Sequence, residues 1–96
     1  MIKVVTLARA VRKTLGKSPG HIVVKLLGWV DLVESDGLEN ARRIPGYRDE
    51  PLRGQREGQR SIRLSRAWRA IYVIVEPEGE EKEPFVEVTE VSKHDY

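Results

Sequence analysis

The apolar positions change period partway along the chain, dividing it into a helical half and a stranded half. Ile2-Lys3-Val4-Val5-Thr6 is β-rich, and Met1–Thr6 reads as an opening strand. Leu7, Val11 and Leu15 then recur at helical spacing on one face, and Gly16 marks the end of that helix. Ser18-Pro19 follows as an N-cap and a proline at the first helical position. Ile22, Leu26, Val30 and Val33 carry a second helix, with Val23 and Leu27 widening its stripe. Ser35-Asp36-Gly37 stops it, the glycine allowing the positive φ of a C-cap. Only Lys17-Ser18 separates the two helices, so a helical hairpin is expected. Gly37–Arg43 is read as a last short turn of helix, ended by Ile44-Pro45-Gly46-Tyr47.

From Leu52 onward the pattern is β. Ser61–Ser65 alternates polar and apolar, and Trp68–Val75 is nearly continuous apolar, as in a central strand covered on both faces. Pro77, Gly79 and the glutamates at 76, 78, 80, 81 and 83 make a solvated hairpin tip before a last strand, Phe85–Val91, and a tail, Ser92–Tyr96. The predicted order is β-α-α-β-β-β. This is an α+β domain, an antiparallel sheet with the helical hairpin packed on one face. Residues 1–96 make one domain, since a chain this short has room for one core.

Charge adds to this picture because it is unevenly placed. Residues 1–47 carry a net +4, residues 48–72 a net +4 and residues 73–96 a net −6. All seven bases of the middle block are arginines, whose planar fork binds phosphate bidentately where lysine offers a point charge. The absence of cysteine excludes disulfides and thiolate metal sites, and two histidines are too few for a zinc site built on histidine alone. P-loop, GxGxxG and HExxH spacings are missing, so neither a cofactor nor a metal is expected. The longest apolar runs fall far short of a membrane span, and no export signal opens the chain; a cytoplasmic protein is expected.

The connection between the strands at 60–65 and 68–75 decides which side chains share a face. A three-residue loop at Ser65-Arg66-Ala67 pairs Leu64 with Trp68, Arg63 with Arg69 and Ile62 with Ala70. A slip of one residue would pair Leu64 with Arg69 and bury a guanidinium, at a cost of several kcal/mol. The favoured register sets two like charges opposite each other, which is destabilising unless something neutralises them. Two counter-ions are open: a phosphate between the forks, or a salt-bridge cluster with Glu87, Glu90 or Asp95.

Three stretches carry a family resemblance: Pro45–Leu52, Gly58–Tyr72 and the ending Val91-Ser92-Lys93-His94-Asp95-Tyr96. Together they resemble the RelE/ParE superfamily of type II toxins, and the Lys-His-Asp-Tyr ending is most similar to its HigB-like (plasmid maintenance killer) branch. The resemblance covers essentially the whole chain and implies the RelE-like microbial RNase fold. It also implies a toxin that cleaves mRNA on the ribosome and a cognate antitoxin protein as partner. Residue by residue it implies that Arg69, in Trp68-Arg69-Ala70-Ile71-Tyr72, stabilises the scissile phosphate with Arg63 beside it. His94 and Tyr96 then fall where the family places acid–base side chains.

RNA carries its own nucleophile, the 2′-OH. Cleavage needs a base to take its proton, cations at the phosphate and an acid for the leaving 5′-oxygen, but no metal. Histidine changes charge nearest neutral pH, whereas tyrosine needs neighbouring arginines to lower its pKa before it acts as a base. Which of His94 and Tyr96 is the base stays open, with Asp95 read as an orienting neighbour. Arg53, Arg56, Arg60 and Lys93 are candidate RNA-backbone contacts, with plain solvated surface as the alternative for each. Tyr47 either stacks on a base or plugs the core; Trp29 and Trp68 are read as core, His21 as surface. Two competing functions remain: gyrase inhibition, the role of the ParE branch, and RNA binding without catalysis.

Overall fold

The computed structural model describes residues 1–94; Asp95 and Tyr96 lie outside the described residues. The chain runs β1 (Val5–Leu7), α1 (Arg9–Leu15), α2 (Gly20–Asp36), α3 (Leu38–Arg42), β2 (Glu50–Pro51), β3 (Gln59–Arg63), β4 (Trp68–Val75) and β5 (Phe85–Lys93). Short 3-10 turns at Pro45–Tyr47 and Gly54–Arg56 flank β2. The strands form one sheet in the order β1-β5-β4-β3-β2, placing the apolar β4 at its centre. This is the α+β architecture the pattern predicts.

One sheet face carries the core. Ile22, Leu26, Trp29 and Val33 recur along α2 on one side and are fully buried, joined by Ile62, Ala70, Tyr72, Val86 and Val88 from the strands. Full burial of each such aliphatic side chain contributes about 1.5–3 kcal/mol, so this stripe is the main support of the fold. Trp29 and Tyr72 meet at 5.0 Å between ring centroids, tilted by 42°. Tyr47 plugs the end of this core: it is buried, its hydroxyl donates to the Lys25 carbonyl at 3.1 Å, and the Lys25 ammonium sits 4.4 Å from its ring centroid. The core-plug alternative for Tyr47 therefore holds. Trp68 is partly buried and packs against the core.

Several details differ from the sequence reading. Pairing of β1 with β5 is parallel, so the sheet is mixed; a period-two pattern predicts a strand but not its direction. The two-residue β2 was not expected, because Glu50-Pro51 carries no apolar alternation, and proline is tolerated there on an edge. α1 packs on β5, and α2 packs also against the short α3, whose Leu38 and Ala41 are buried, contacts that the expected two-helix hairpin did not include. Ser18 does not cap α2: its hydroxyl donates to the Thr14 carbonyl at 2.7 Å, closing α1 instead.

A β-bulge in β5 sets the rest. Ile71 pairs with Glu90 but Tyr72 pairs with Val88, leaving Thr89 as an extra residue. Thr89 shifts the phase of the strand, so Val91 joins Val88 in the core while Glu90 and Ser92 turn to the opposite face. Without it, side-chain alternation would drive Glu90 and Ser92 into the core.

Candidate active site

The sheet face away from the helices carries polar side chains in cross-strand rows. Glu50 of β2 pairs with Ser61, Ser61 with Ile71, and Ile71 with Glu90. In the next row Arg63 pairs with Arg69, and Arg69 with Ser92. Directly opposed residues share a face, so both guanidinium groups leave the sheet on the same side, as the three-residue loop predicts. Leu64 donates its N–H to the Trp68 carbonyl at 2.9 Å. The Arg63–Arg69 pair one step inward is therefore of the narrow kind, with side chains closest together. The Ser65 hydroxyl fixes the turn by accepting from the Trp68 N–H at 3.2 Å and the Ala67 N–H at 3.4 Å.

Above these rows is an open concavity of about 460 Å3, lined by Glu50, Leu52, Arg56, Ser61, Arg69, Ile71, Glu90 and His94. Arg69 donates from Nη1 to the Ser61 hydroxyl at 3.2 Å, and Arg63 donates from Nε to the Ser65 carbonyl at 3.3 Å. Among the described residues no carboxylate lies within ion-pair distance of either arginine. Glu90, one candidate counter-ion, is instead bound to Arg56 at 2.8 Å. His94 reaches the cleft because its N–H donates to the Ala67 carbonyl at 2.7 Å, tying the end of β5 to the β3–β4 turn. A second concavity of about 470 Å3, lined by Met1, Ile2, Leu38, Glu39, Arg42 and Ile74, offers one carboxylate and one guanidinium on an apolar floor.

The remaining candidates separate by face. Arg56 lines the cleft, and Arg53 is exposed in the loop just before it. Arg60 pairs with Tyr72, so its side chain belongs to the core side. There its Nε donates to Asp49 at 2.6 Å, and that carboxylate is fully buried. Tyr72 donates its hydroxyl to the other Asp49 oxygen at 2.5 Å, and Arg42 donates to the Tyr72 oxygen at 3.4 Å. Burial pushes the Tyr72 hydroxyl up to about 12, reinforced by the Asp49 carboxylate and opposed by Arg42. For Arg60, burial alone would lower the pKa, but the Asp49 bond and charge, with Tyr72, raise it. Lys93 pairs with Trp68 and so shares the helix-side face, away from the arginine pair. Tyr96 lies outside the described residues.

The sequence reading missed Glu50 and Ser61. For Ser61 the signal is parity, since it alternates with the core residue Ile62; Glu50 has none, because Glu50-Pro51 carries no apolar alternation and its face follows only from the pairing with Ser61. Among the described residues no three of His, Cys, Asp and Glu cluster as a cation site, and no helix is long and apolar enough to cross a membrane.

No family model matches the sequence, and no curated protein matches it. Solved structures do. The DinJ–YafQ toxin–antitoxin complex of E. coli contains a chain 18% identical, matched over 98% of this chain and 94% of that one, with a TM-score of 0.70. The RelE–RelB complex of Pyrococcus horikoshii gives 19% identity over 97% and 96% of the two chains, with a TM-score of 0.68. A YoeB/ParE toxin from Agrobacterium tumefaciens gives 22% identity over 96% and 99%, with a TM-score of 0.60. The chain thus shares the fold of these toxins over 96–98% of its length.

Proposed function

We propose that this chain is the toxin of a type II toxin–antitoxin pair, of the HigB-like branch, acting as a metal-independent endoribonuclease on ribosome-bound mRNA in the cytoplasm. The observation that supports this reading is the Arg63–Arg69 pair, set side by side with no carboxylate at ion-pair distance among the described residues, on the face that holds His94. Two opposed guanidinium groups favour a bidentate anion, and a phosphodiester is one. The fold shared with toxins solved in complex with antitoxins supports an antitoxin as cognate partner. The Lys93-His94-Asp95-Tyr96 ending supports the branch.

In this reading Arg69 and Arg63 neutralise the charge that grows on the phosphate oxygens. A proton acceptor takes the 2′-OH proton, and the 2′-oxygen forms its bond to phosphorus as the bond to the 5′-oxygen breaks. His94 gives a proton to that leaving oxygen, so the products are a 2′,3′-cyclic phosphate and a 5′-hydroxyl. The acceptor is Glu50, which shares the cleft with Arg69 and is free of the ion pair that holds Glu90. The family resemblance supplies Tyr96 as the alternative acceptor.

Primer extension on messages in a translation extract with chelator tests this. New 5′ ends are expected with the wild-type chain, reduced about 10²–10³-fold by Arg69→Ala, the loss typical of one electrostatic donor to a developing oxyanion. Glu50→Gln against Tyr96→Phe identifies the acceptor. Intact message with blocked DNA supercoiling would favour gyrase inhibition instead. Bound but uncut message would favour a binding module.

A further inference from the structure

We infer that Asp49 is a positioning residue that aims Glu50 into the cleft, a claim that rests on reading Glu50 as the proton acceptor. Successive side chains on an extended segment point to opposite faces. Glu50 faces the cleft opposite Ser61, so its neighbour Asp49 faces the core, where Arg60 and Tyr72 hold both of its oxygens.

The ladder alone is a weak hold. β2 has two rungs, Glu50–Ser61 and Pro51–Arg60, continued by the Leu52 N–H on the Gln59 carbonyl at 2.8 Å. Proline donates nothing to it. The segment also enters β2 through Arg48, the single non-glycine residue with positive φ among those described, at 45°. Such a conformation persists only where its surroundings over-determine it. Here the two residues flanking Arg48 do so: Tyr47 is plugged into the core, and Asp49 is clamped under the sheet. The clamp is made of charge-assisted bonds to a fully buried carboxylate, which fix direction as well as distance. A network on the protected side of the sheet thereby sets the position of a reacting group on the open side.

Tyr72→Phe keeps the ring against Trp29 and removes only the hydroxyl; Asp49→Asn keeps the shape and removes the charge. Both are made in the full chain and checked for a native circular dichroism spectrum. The expected results are an amide exchange rate at Leu52 raised about tenfold, β4 amides unchanged, and single-turnover cleavage at saturating ribosomes slowed about 10- to 100-fold with unchanged KM. Adding Glu50→Gln to Tyr72→Phe should slow cleavage no further than Glu50→Gln alone. A purely structural clamp predicts multiplying effects instead, and that result overturns the inference. Full-speed cleavage by both folded variants overturns it while leaving the nuclease reading intact. A wild-type chain that leaves message uncut removes both.

Discussion

Three arginines within ten residues should respond to one substitution in different ways. Arg60, Arg63 and Arg69 are each replaced by methionine, which keeps the aliphatic stem and removes the charge. Arg60→Met strips the guanidinium from a fully buried carboxylate, leaving Asp49 only the Tyr72 hydroxyl. Breaking one side of a buried pair costs about 3 kcal/mol or more. In a domain this size each kcal/mol moves the melting temperature by about 4–8 °C, so a fall of about 12–24 °C is expected. Arg69→Met acts differently: it removes one of two like charges directly opposed across a strand pair, relieving about 0.2–1 kcal/mol. The bond to Ser61 is lost as well, and because Ser61 is buried this offsets the relief, so the net change should lie near zero and far from that of Arg60→Met. Among the described residues Arg63→Met loses a bond to the Ser65 carbonyl, and it should track Arg69→Met. Urea unfolding at low and moderate salt reads all three, and added salt should shrink the relief at 63 and 69 by screening the repulsion. If Arg69→Met destabilises as much as Arg60→Met, the pair is structural and the case for an anion between the forks fails.

Further outcomes follow from the same geometry. Tyr72 keeps its proton in the folded chain up to about pH 12, while an unfolded tyrosine releases it near 10. Its contribution is complete below about pH 10 and falls away as pH rises to 12, by about 3 kcal/mol in total, so urea midpoints for Tyr72→Phe should decline less over that range. Arg48→Gly relieves a positive φ and should be neutral to about 1 kcal/mol more stable by the same assay; a loss above that would show that the side chain matters. Ser65→Ala removes the hydroxyl that holds the turn, for about 0.5–1.5 kcal/mol in thermal unfolding, and on the proposed nuclease reading it should also lower cleavage, because the arginine register depends on that turn.

Much of the fold was legible because its signals are periodic. The helical stripes, the apolar β4 and the glutamate-rich tip each show in residue spacing alone. The Arg63–Arg69 pairing was legible too, since a one-residue slip would bury a charge. Other features depend on contacts that no local pattern carries. The direction of β1, the two-residue β2 and the bulge at Thr89 arise from pairings between segments far apart in sequence. Arg60 shows the limit most clearly. By composition it belongs with the other arginines of its block, and only its pairing with Tyr72, opposite a buried Asp49, takes it out of the cleft. Glu50 escaped notice for the complementary reason: its place on the open face is set by the residue before it.

The sheet therefore does two electrically opposite jobs with one kind of side chain. On the helix side each buried charge has its partner: Arg60 meets Asp49, and Tyr72 closes the second oxygen. On the open side Arg63 and Arg69 are given no carboxylate among the described residues, while Arg56 takes up Glu90 at the cleft wall. Sheet geometry alone does not explain that difference, since an acidic residue in place of Ser92, opposite Arg69, would neutralise the pair and raise stability. Ser92 leaves the charge standing. Native proteins keep destabilising arrangements of this sort where binding supplies what folding withholds. The turn at Ser65 and the bulge at Thr89 set the register on either side of β4, and so determine that these two guanidinium groups, without a carboxylate partner among the described residues, leave the sheet on its open face instead of the core side.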